Sequence, residues 1–140
     1  MGRINISRVI AGGLLAGLII NISEFILNGL VLAQATEAAM QALNLPPIDM
    51  RMIVWFVLAG FALGIVTVWL YAAIRPRFGP GVGTAACAAL MVWFLAYVYP
   101  SLFLAVMHVF PRKLIAIGTL WGLPEIVIAG IVGAWPYTES

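Results

Sequence analysis

The sequence has very little charge and few of the residues that carry most chemistry. Asp, Glu, Lys and Arg together make up 9% of its 140 residues, against about 25% in soluble domains. Cys87 is the single cysteine, so an intrachain disulfide is excluded. His108 is the single histidine, so a haem held by two histidines of one chain is excluded.

Apolar residues take the place of charge. Hydrophobic residues make up 64% of the chain, and the mean hydropathy is +1.12. A chain this short buries only about two-thirds of its surface, so much of this apolar surface must face lipid. The composition predicts one integral membrane domain over residues 1–140. It excludes a cytosolic enzyme, a nucleic-acid-binding protein and a disulfide-stabilised scaffold.

Four apolar runs reach the roughly 20 residues that a membrane-spanning helix needs. They cover about residues 9–32, 52–74, 84–110 and 114–135. Prolines, glycines or basic residues separate them, at Pro46-Pro47, at 75–81 and at 111–113. Connections this short favour antiparallel neighbours, which predicts an all-α transmembrane up-down four-helix bundle. Residues 36–44 are good helix formers and form either a short extramembrane helix or an extension of the first span.

Basic and aromatic residues predict the orientation. The side of the termini carries Arg3, Arg8, Arg75 and Arg77, and the opposite side carries Arg51, Arg112 and Lys113. This excess favours both termini in the cytoplasm. A bacterial inner membrane is the expected location. The aromatic residues predicted to anchor the span ends are Trp55, Trp69, Tyr71, Trp135 and Tyr137. Trp93 and Trp121 lie deeper, where each indole N–H needs a hydrogen-bond acceptor.

Two acids lie inside the predicted spans, and an ionisable side chain in hydrocarbon is a functional hypothesis by default. Each continues a row of small or polar residues at intervals of three or four, which share one helix face. The predicted intramembrane polar cluster is Asn21, Glu24, Asn28 and Glu125. Counted by helix rise from the cytoplasmic ends, Asn21 and Glu125 lie at similar depth. The predicted helix-packing residues are Gly13, Gly17, Gly60, Gly64, Gly118 and Gly122.

Two prolines interrupt the later spans. Pro100 and Pro124 each remove a helical hydrogen bond and are predicted to kink their helices, freeing the carbonyls of Ala96 and Leu120. A freed carbonyl beside an intramembrane carboxylate is one way to build an ion site. Three roles stay open for the acids: structural hydrogen bonds, an ion or proton pathway, and contact with a partner or ligand.

Other sites are weakly indicated. His108 lies near the outer end of the third span, on the helix face of Ser101 and Ala105, where it is an interfacial or capping residue or a ligand contact. Single axial ligation of haem or chlorophyll is the alternative, and no other cofactor is predicted. No set of Cys, His and acidic residues has zinc spacing, so no metal is predicted. No catalytic residues are predicted either, since the only aspartate, Asp49, lies in a loop.

The C-terminal part of the chain shows a resemblance. The run Ala89–Tyr97 is followed by a basic turn at Arg112-Lys113 and by the segment Ala129–Trp135, with its regularly placed glycines. This pattern resembles a widespread group of uncharacterised bacterial four-helix integral membrane proteins. The resemblance implies the four-helix topology and implies no activity. The first span departs from the group, where an aromatic-proline cluster follows the first glycines.

Three functions are compatible with these features. The leading expectation is a non-enzymatic membrane protein that acts by helix packing, as an accessory subunit of a larger complex or as a homo-oligomer. The alternative is a small proton- or cation-coupled transporter that uses Glu24 and Glu125. A membrane enzyme acting on lipid or quinone is the third. The expected partners are the lipid bilayer and other membrane subunits or copies of the chain, without nucleic acid.

Overall fold

The computed structural model describes residues 2–140, and this part of the chain contains helices and no strand. The helices are listed here in chain order. They are α1 (Ile6–Ile26), the π-helical turn π1 (Leu27–Val31), α2 (Ala33–Ala42), α3 (Met50–Phe78), α4 (Val82–Trp93), the π-helical turn π2 (Phe94–Val98), α5 (Tyr99–Val106) and α6 (Arg112–Ala134).

Within residues 2–140, four continuous helical stretches are long and apolar enough to cross a membrane. They are Ile6–Val31, Met50–Phe78, Val82–Val106 and Arg112–Ala134. They form an all-helical bundle, as predicted, and the chain is a multi-pass integral membrane protein. The spans cannot be amphipathic in the manner of soluble helices, because lipid covers the outside of the bundle.

Both termini and the connection between α3 and α4 lie at one end of the bundle, called here the terminal end. The Ser140 hydroxyl donates to the Arg3 carbonyl at 3.1 Å, and Arg75 pairs with Glu139 at 3.1 Å. The opposite end, called here the α2 end, carries α2 and the connections before α3 and α6. Gly79 ends α3 and Gly81 precedes α4, with positive φ of 86° and 126° that glycine adopts readily.

The first two spanning helices cross at a seam of glycines. Gly13 lies against Ile65, and Gly17 lies against Phe61 and Gly60. Gly64 packs onto the backbone of Gly13 and Gly17. A second close approach joins Gly12 of α1 to Gly133 of α6. Without side chains at these positions the backbones approach closely, which is the main source of helix association where lipid competes for apolar contacts.

The terminal end of the bundle is closed by aromatic residues. Tyr71 and Tyr137 are buried and meet edge to face, with ring centroids 5.9 Å apart. The Arg75 guanidinium lies 5.5 Å from the centre of the Tyr137 ring. The prediction that these two tyrosines belong to an interfacial belt is therefore wrong, because the tail after α6 folds back over the helix ends. Trp135, by contrast, is 85% exposed.

Two π-helical turns interrupt spans that the sequence predicts to be regular. In π1 the Leu32 amide donates to the carbonyl of Leu27 at 2.7 Å, and in π2 the Tyr99 amide donates to the carbonyl of Phe94. Each turn inserts extra backbone and shifts the helix face that follows it. Where a kink was predicted at Pro100, the structure has the π-helical turn π2. This turn directly precedes the proline, which lies in the first turn of α5.

Candidate functional site at the Glu24–Glu125 pair

Glu125 lies well inside the bundle on α6. At 1.5 Å of rise per residue it is about 20 Å from the helix start at Arg112. Its side chain is 4% exposed. The Tyr97 hydroxyl donates to its Oε2 atom at 2.6 Å. Its Oε1 atom is buried and has no hydrogen-bond partner among residues 2–140.

Glu24 and Ser23 of α1 are the other polar neighbours of the Glu125 carboxyl group. The side-chain amide of Asn28 donates to Glu24 twice, to Oε2 at 2.7 Å and to the backbone carbonyl at 3.2 Å. Two neighbouring carboxyl groups out of water repel each other strongly when both are charged. At least one of the two acids must therefore hold a proton or be paired with a cation.

Two tryptophans near the acid pair donate hydrogen bonds within the bundle. The Trp121 indole N–H donates to the Ser23 hydroxyl oxygen at 2.9 Å, and the Trp93 indole N–H donates to the Thr119 carbonyl at 2.9 Å. A buried indole N–H needs an acceptor, and both find one within the bundle. The first bond ties α6 to α1 directly beside the acids.

Asn21 does not join this cluster. Its side-chain amide donates to the Val57 carbonyl of α3 at 3.2 Å, and its side chain lies against Gly60. The prediction placed Asn21 with Glu125 because both were counted to similar depth. Depth does not specify direction: Asn21 lies on the edge of α1 that meets α3, whereas Ser23 lies on the edge that meets α6.

An open cleft of about 370 Å³ lies on the α2 side of the acid pair. Asn28 and Tyr97 belong to its lining, and each is bonded to one of the two acids. The side chains of Asn28 and Tyr97 therefore lie between the cleft and the carboxyl groups. The remaining wall is mostly apolar, with the hydroxyls of Ser101 and Thr119 2.8 Å apart.

The two glycines predicted on α6 have different roles. Gly122 is buried against the Tyr97 ring, where an added Cβ would overlap the ring atoms. Gly118 lines the cleft, and an added Cβ would meet no other atom within 4 Å. The prediction that Gly118 packs against a helix is wrong within this chain, because Gly118 faces the cleft and not a neighbouring helix.

Pro100 and Pro124 lie beside the site, and α6 is not interrupted at Pro124. Pro124 precedes Glu125, and α6 continues through it from Arg112 to Ala134. Pro100 lines the cleft together with Ala96, whose carbonyl cannot receive a bond from the proline nitrogen.

Tyr97 is the residue of this site that sequence reasoning missed. It was noted as a hydroxyl near Pro100, without a link to Glu125. Helical spacing could not place it, because Tyr97 lies within π2, where the regular period fails. Its hydroxyl inside an apolar span was the available signal, since a buried phenol needs a partner.

His108 lies outside the helices. The third spanning helix ends at Val106, so His108 falls in the connection that follows, exposed and with φ of 54°. It was predicted to continue the helix face of Ser101 and Ala105, which is wrong for this reason. Residues 2–140 contain no group of three His, Cys, Asp or Glu side chains that could hold a metal ion.

Comparison with known proteins found no matching family model, no matching curated protein and no matching solved structure. The resemblance of the C-terminal part to uncharacterised four-helix membrane proteins therefore stays a prediction.

Proposed function

We propose that this protein is a small proton- or cation-coupled membrane carrier and that Glu24 and Glu125 are its exchange site. The observation that carries this proposal is the Oε1 atom of Glu125, which is buried beside a second carboxyl group and has no partner within residues 2–140. Ionisable groups inside a membrane are expensive and mark ion or proton pathways.

A purely structural role accounts less well for this geometry. Buried polar atoms that only hold a fold together are generally hydrogen-bonded, and each exception needs an explanation. Glycine seams already bring α1 against α3 and α6, through Gly13, Gly64 and Gly133 among others. The bundle thus has a source of cohesion that does not require two adjacent acids.

Access to the pair is asymmetric. The cleft lies on the α2 side of the pair, and its lining residues Asn28 and Tyr97 are bonded to the acids. Toward the other end, buried Tyr71 and Tyr137 close the bundle. A carrier built this way loads from the α2 end and must rearrange its terminal end to release what it carries.

Reconstituted vesicles with an internal pH dye test the proposal. With a monovalent cation supplied on the opposite side for exchange, a pH gradient should collapse faster with the wild-type protein than in protein-free vesicles. Glu24→Gln and Glu125→Gln keep the size of the side chain and remove the exchangeable carboxyl group, so each should reduce the flux to the protein-free rate. Glu37→Gln removes an exposed acid of α2 and should leave the flux unchanged.

The outcome that contradicts the carrier is equal flux in all four proteins and in protein-free vesicles. The second candidate function, an accessory subunit or a homo-oligomer, then takes its place. It is favoured by α5, which buries none of the eight residues from Tyr99 to Val106 and so leaves a face free for a partner. Light scattering in mild detergent would then show a complex, whereas a monomer without a co-purifying chain would contradict this function as well.

The proposed location is a bacterial inner membrane with both termini in the cytoplasm. Arg3, Arg8, Arg75 and Arg77 lie toward the terminal end, and basic residues in short loops favour the cytoplasmic side. A reporter fused after Ser140 that is active only outside the cytoplasm should stay inactive. Its activity would reverse the orientation.

A further inference from the structure

We propose that the cleft beside the acid pair binds a protonated primary or secondary amine that carries an apolar body. This inference rests on the proposed function and specifies its substrate class. It is argued from three properties of the site: which polar atoms are already used, which are free, and what covers the walls.

The hydrogen-bond donors next to the two acids are already used, and the Thr36 hydroxyl, which also lines the cleft, lies outside this set. Asn28 directs its side-chain N–H groups at Glu24, and Tyr97 directs its hydroxyl at Glu125. The indole N–H groups of Trp93 and Trp121 are bonded to Thr119 and Ser23. The Thr119 hydroxyl lies 2.9 Å from the Ile115 carbonyl, which leaves its oxygen to accept from Ser101.

The atoms that remain free next to the two acids are acceptors. Oε1 of Glu125 is buried and has no hydrogen-bond partner within residues 2–140. Glu125 as a whole is 4% exposed. Asn28 uses its nitrogen on Glu24, so its Oδ1 atom is the one left for a ligand. The Tyr97 oxygen donates its only proton to Glu125 and can still accept. A ligand that satisfies these atoms must bring several N–H or O–H donors.

Charge restricts the ligand further. The part of the lining that the structure describes contains no Lys, Arg or His, so nothing is present to neutralise an anion. The carboxyl groups of Glu24 and Glu125, behind Asn28 and Tyr97, favour a positive charge in the cleft. An ammonium group provides both the charge and the donors, whereas a quaternary ammonium provides the charge alone.

The walls favour an apolar body on that ammonium group. The apolar residues that line the cleft are Leu32, Leu104, Phe110, Leu114 and Ile115. The volume of about 370 Å³ lies at the lower end of the range for small-molecule pockets, about 300–1,000 Å³. A small ring or a short alkyl chain on the nitrogen fits this size.

Binding would exchange one ion for another. The ammonium N–H groups bond to Oδ1 of Asn28, to the Tyr97 oxygen and to Oε1 of Glu125, while the Tyr97 hydroxyl stays on Oε2. One proton held between Glu24 and Glu125 is released to water as one ammonium ion enters. The charge of the site is therefore the same before and after binding, which suits a group buried away from water.

Calorimetry on the full chain in lipid nanodiscs tests the proposal with four probes of similar shape. They are benzylammonium, benzyltrimethylammonium, benzyl alcohol and benzoate. Benzylammonium should bind and release one proton, measured by repeating the titration in buffers of different ionisation enthalpy. Benzyltrimethylammonium lacks N–H donors and should bind about tenfold more weakly or worse. Benzyl alcohol and benzoate should show no binding.

Two variants locate the binding site. Glu125→Gln should abolish the proton release, and Glu37→Gln should leave it unchanged. Gly118→Leu fills the cleft from a position where an added Cβ has no neighbour within 4 Å, so the bundle should fold and benzylammonium binding should be lost. Gly83→Leu is the matched control, because Gly83 is exposed in the first turn of α4 and its Cβ position is equally open.

The outcomes separate the two proposals. Equal affinity for benzylammonium and benzyltrimethylammonium, or binding of benzoate, overturns the substrate class while a Glu125-dependent proton flux leaves the carrier intact. Unchanged benzylammonium binding in Gly118→Leu overturns the location in the cleft. Absence of both proton flux and proton release overturns the carrier itself.

Discussion

Replacing Gly64 by alanine is expected to lower the free energy of unfolding by about 2–3 kcal/mol, the upper part of the range for overpacked positions. A Cβ at Gly64 would overlap the Gly13 carbonyl oxygen and the Gly17 amide nitrogen, and it would lie 2.8 Å from the Gly17 Cα atom. All three are backbone atoms, so no side chain can rotate away. The helices must separate, and every contact along the α1–α3 seam loosens with them.

Unfolding by SDS in mixed micelles, followed by tryptophan fluorescence, measures this loss. Gly83→Ala is the matched control, because it makes the same substitution in a helix without an atom near the added methyl group. It should leave stability unchanged or raise it by up to about 1 kcal/mol, since alanine is the better helix former. Equal stability of Gly64→Ala and Gly83→Ala would show that the seam does not hold α1 against α3.

Replacing Gly122 by alanine is expected to break the bond between Tyr97 and Glu125. The added Cβ would overlap two atoms of the Tyr97 ring and lie 3.0 Å from a third, its Cγ. The ring must turn away, and its hydroxyl then leaves Oε2 of Glu125. We expect a loss of about 2–4 kcal/mol, which sums the overpacking with the loss of a hydrogen bond to an acidic group.

A double-mutant cycle with Tyr97→Phe separates these two contributions. Tyr97→Phe removes only the hydroxyl, so Tyr97→Phe combined with Gly122→Ala should cost less than the sum of the two single variants, by about 1–2 kcal/mol. Gly118→Ala, one turn earlier on α6 and facing the open cleft, should be close to neutral. Strict additivity of the two substitutions would mean that Gly122 does not position Tyr97.

The glycines that pack the helices together also determine the geometry of the candidate site. The sequence suggested more close-contact surface than four helices need, which favoured an external partner. In the structure Gly12, Gly13, Gly64 and Gly133 are used within the chain, where they bring α1 close to α3 and α6. This close approach is also what places Glu24 next to Glu125, so the packing residues serve the acid pair directly.

Some features of the site could be predicted from the sequence alone. Glu24 and Glu125 were predicted to face protein because each shares a helix face with small residues, and the two carboxyl groups are neighbours. Trp93 and Trp121 were predicted to need acceptors, and the structure provides the Thr119 carbonyl and the Ser23 hydroxyl. Asp49 was predicted as a cap, and its carboxylate accepts from the Met52 amide at 3.0 Å.

Other features depend on which neighbouring helix a side chain faces. The spacing of residues along one helix does not specify this. Asn21 was assigned to Glu125 from its depth, but it bonds to α3. Gly118 was assigned to a helix contact from its spacing, but it lines the cleft. Tyr97 reaches Glu125 because π2 shifts the third spanning helix out of the regular period.

The amino-acid sequence by itself determined that this chain is a helical membrane protein and that its two intramembrane acids are inside the bundle. Both follow from local demands, since a backbone in lipid must satisfy its own hydrogen bonds and a carboxyl group must avoid hydrocarbon. Only the tertiary structure decided which helix each face meets, that two π-helical turns flank a cleft, and that one oxygen of Glu125 lacks a partner. Those results depend on how four helices cross, and a crossing is settled jointly by residues that are far apart in the chain.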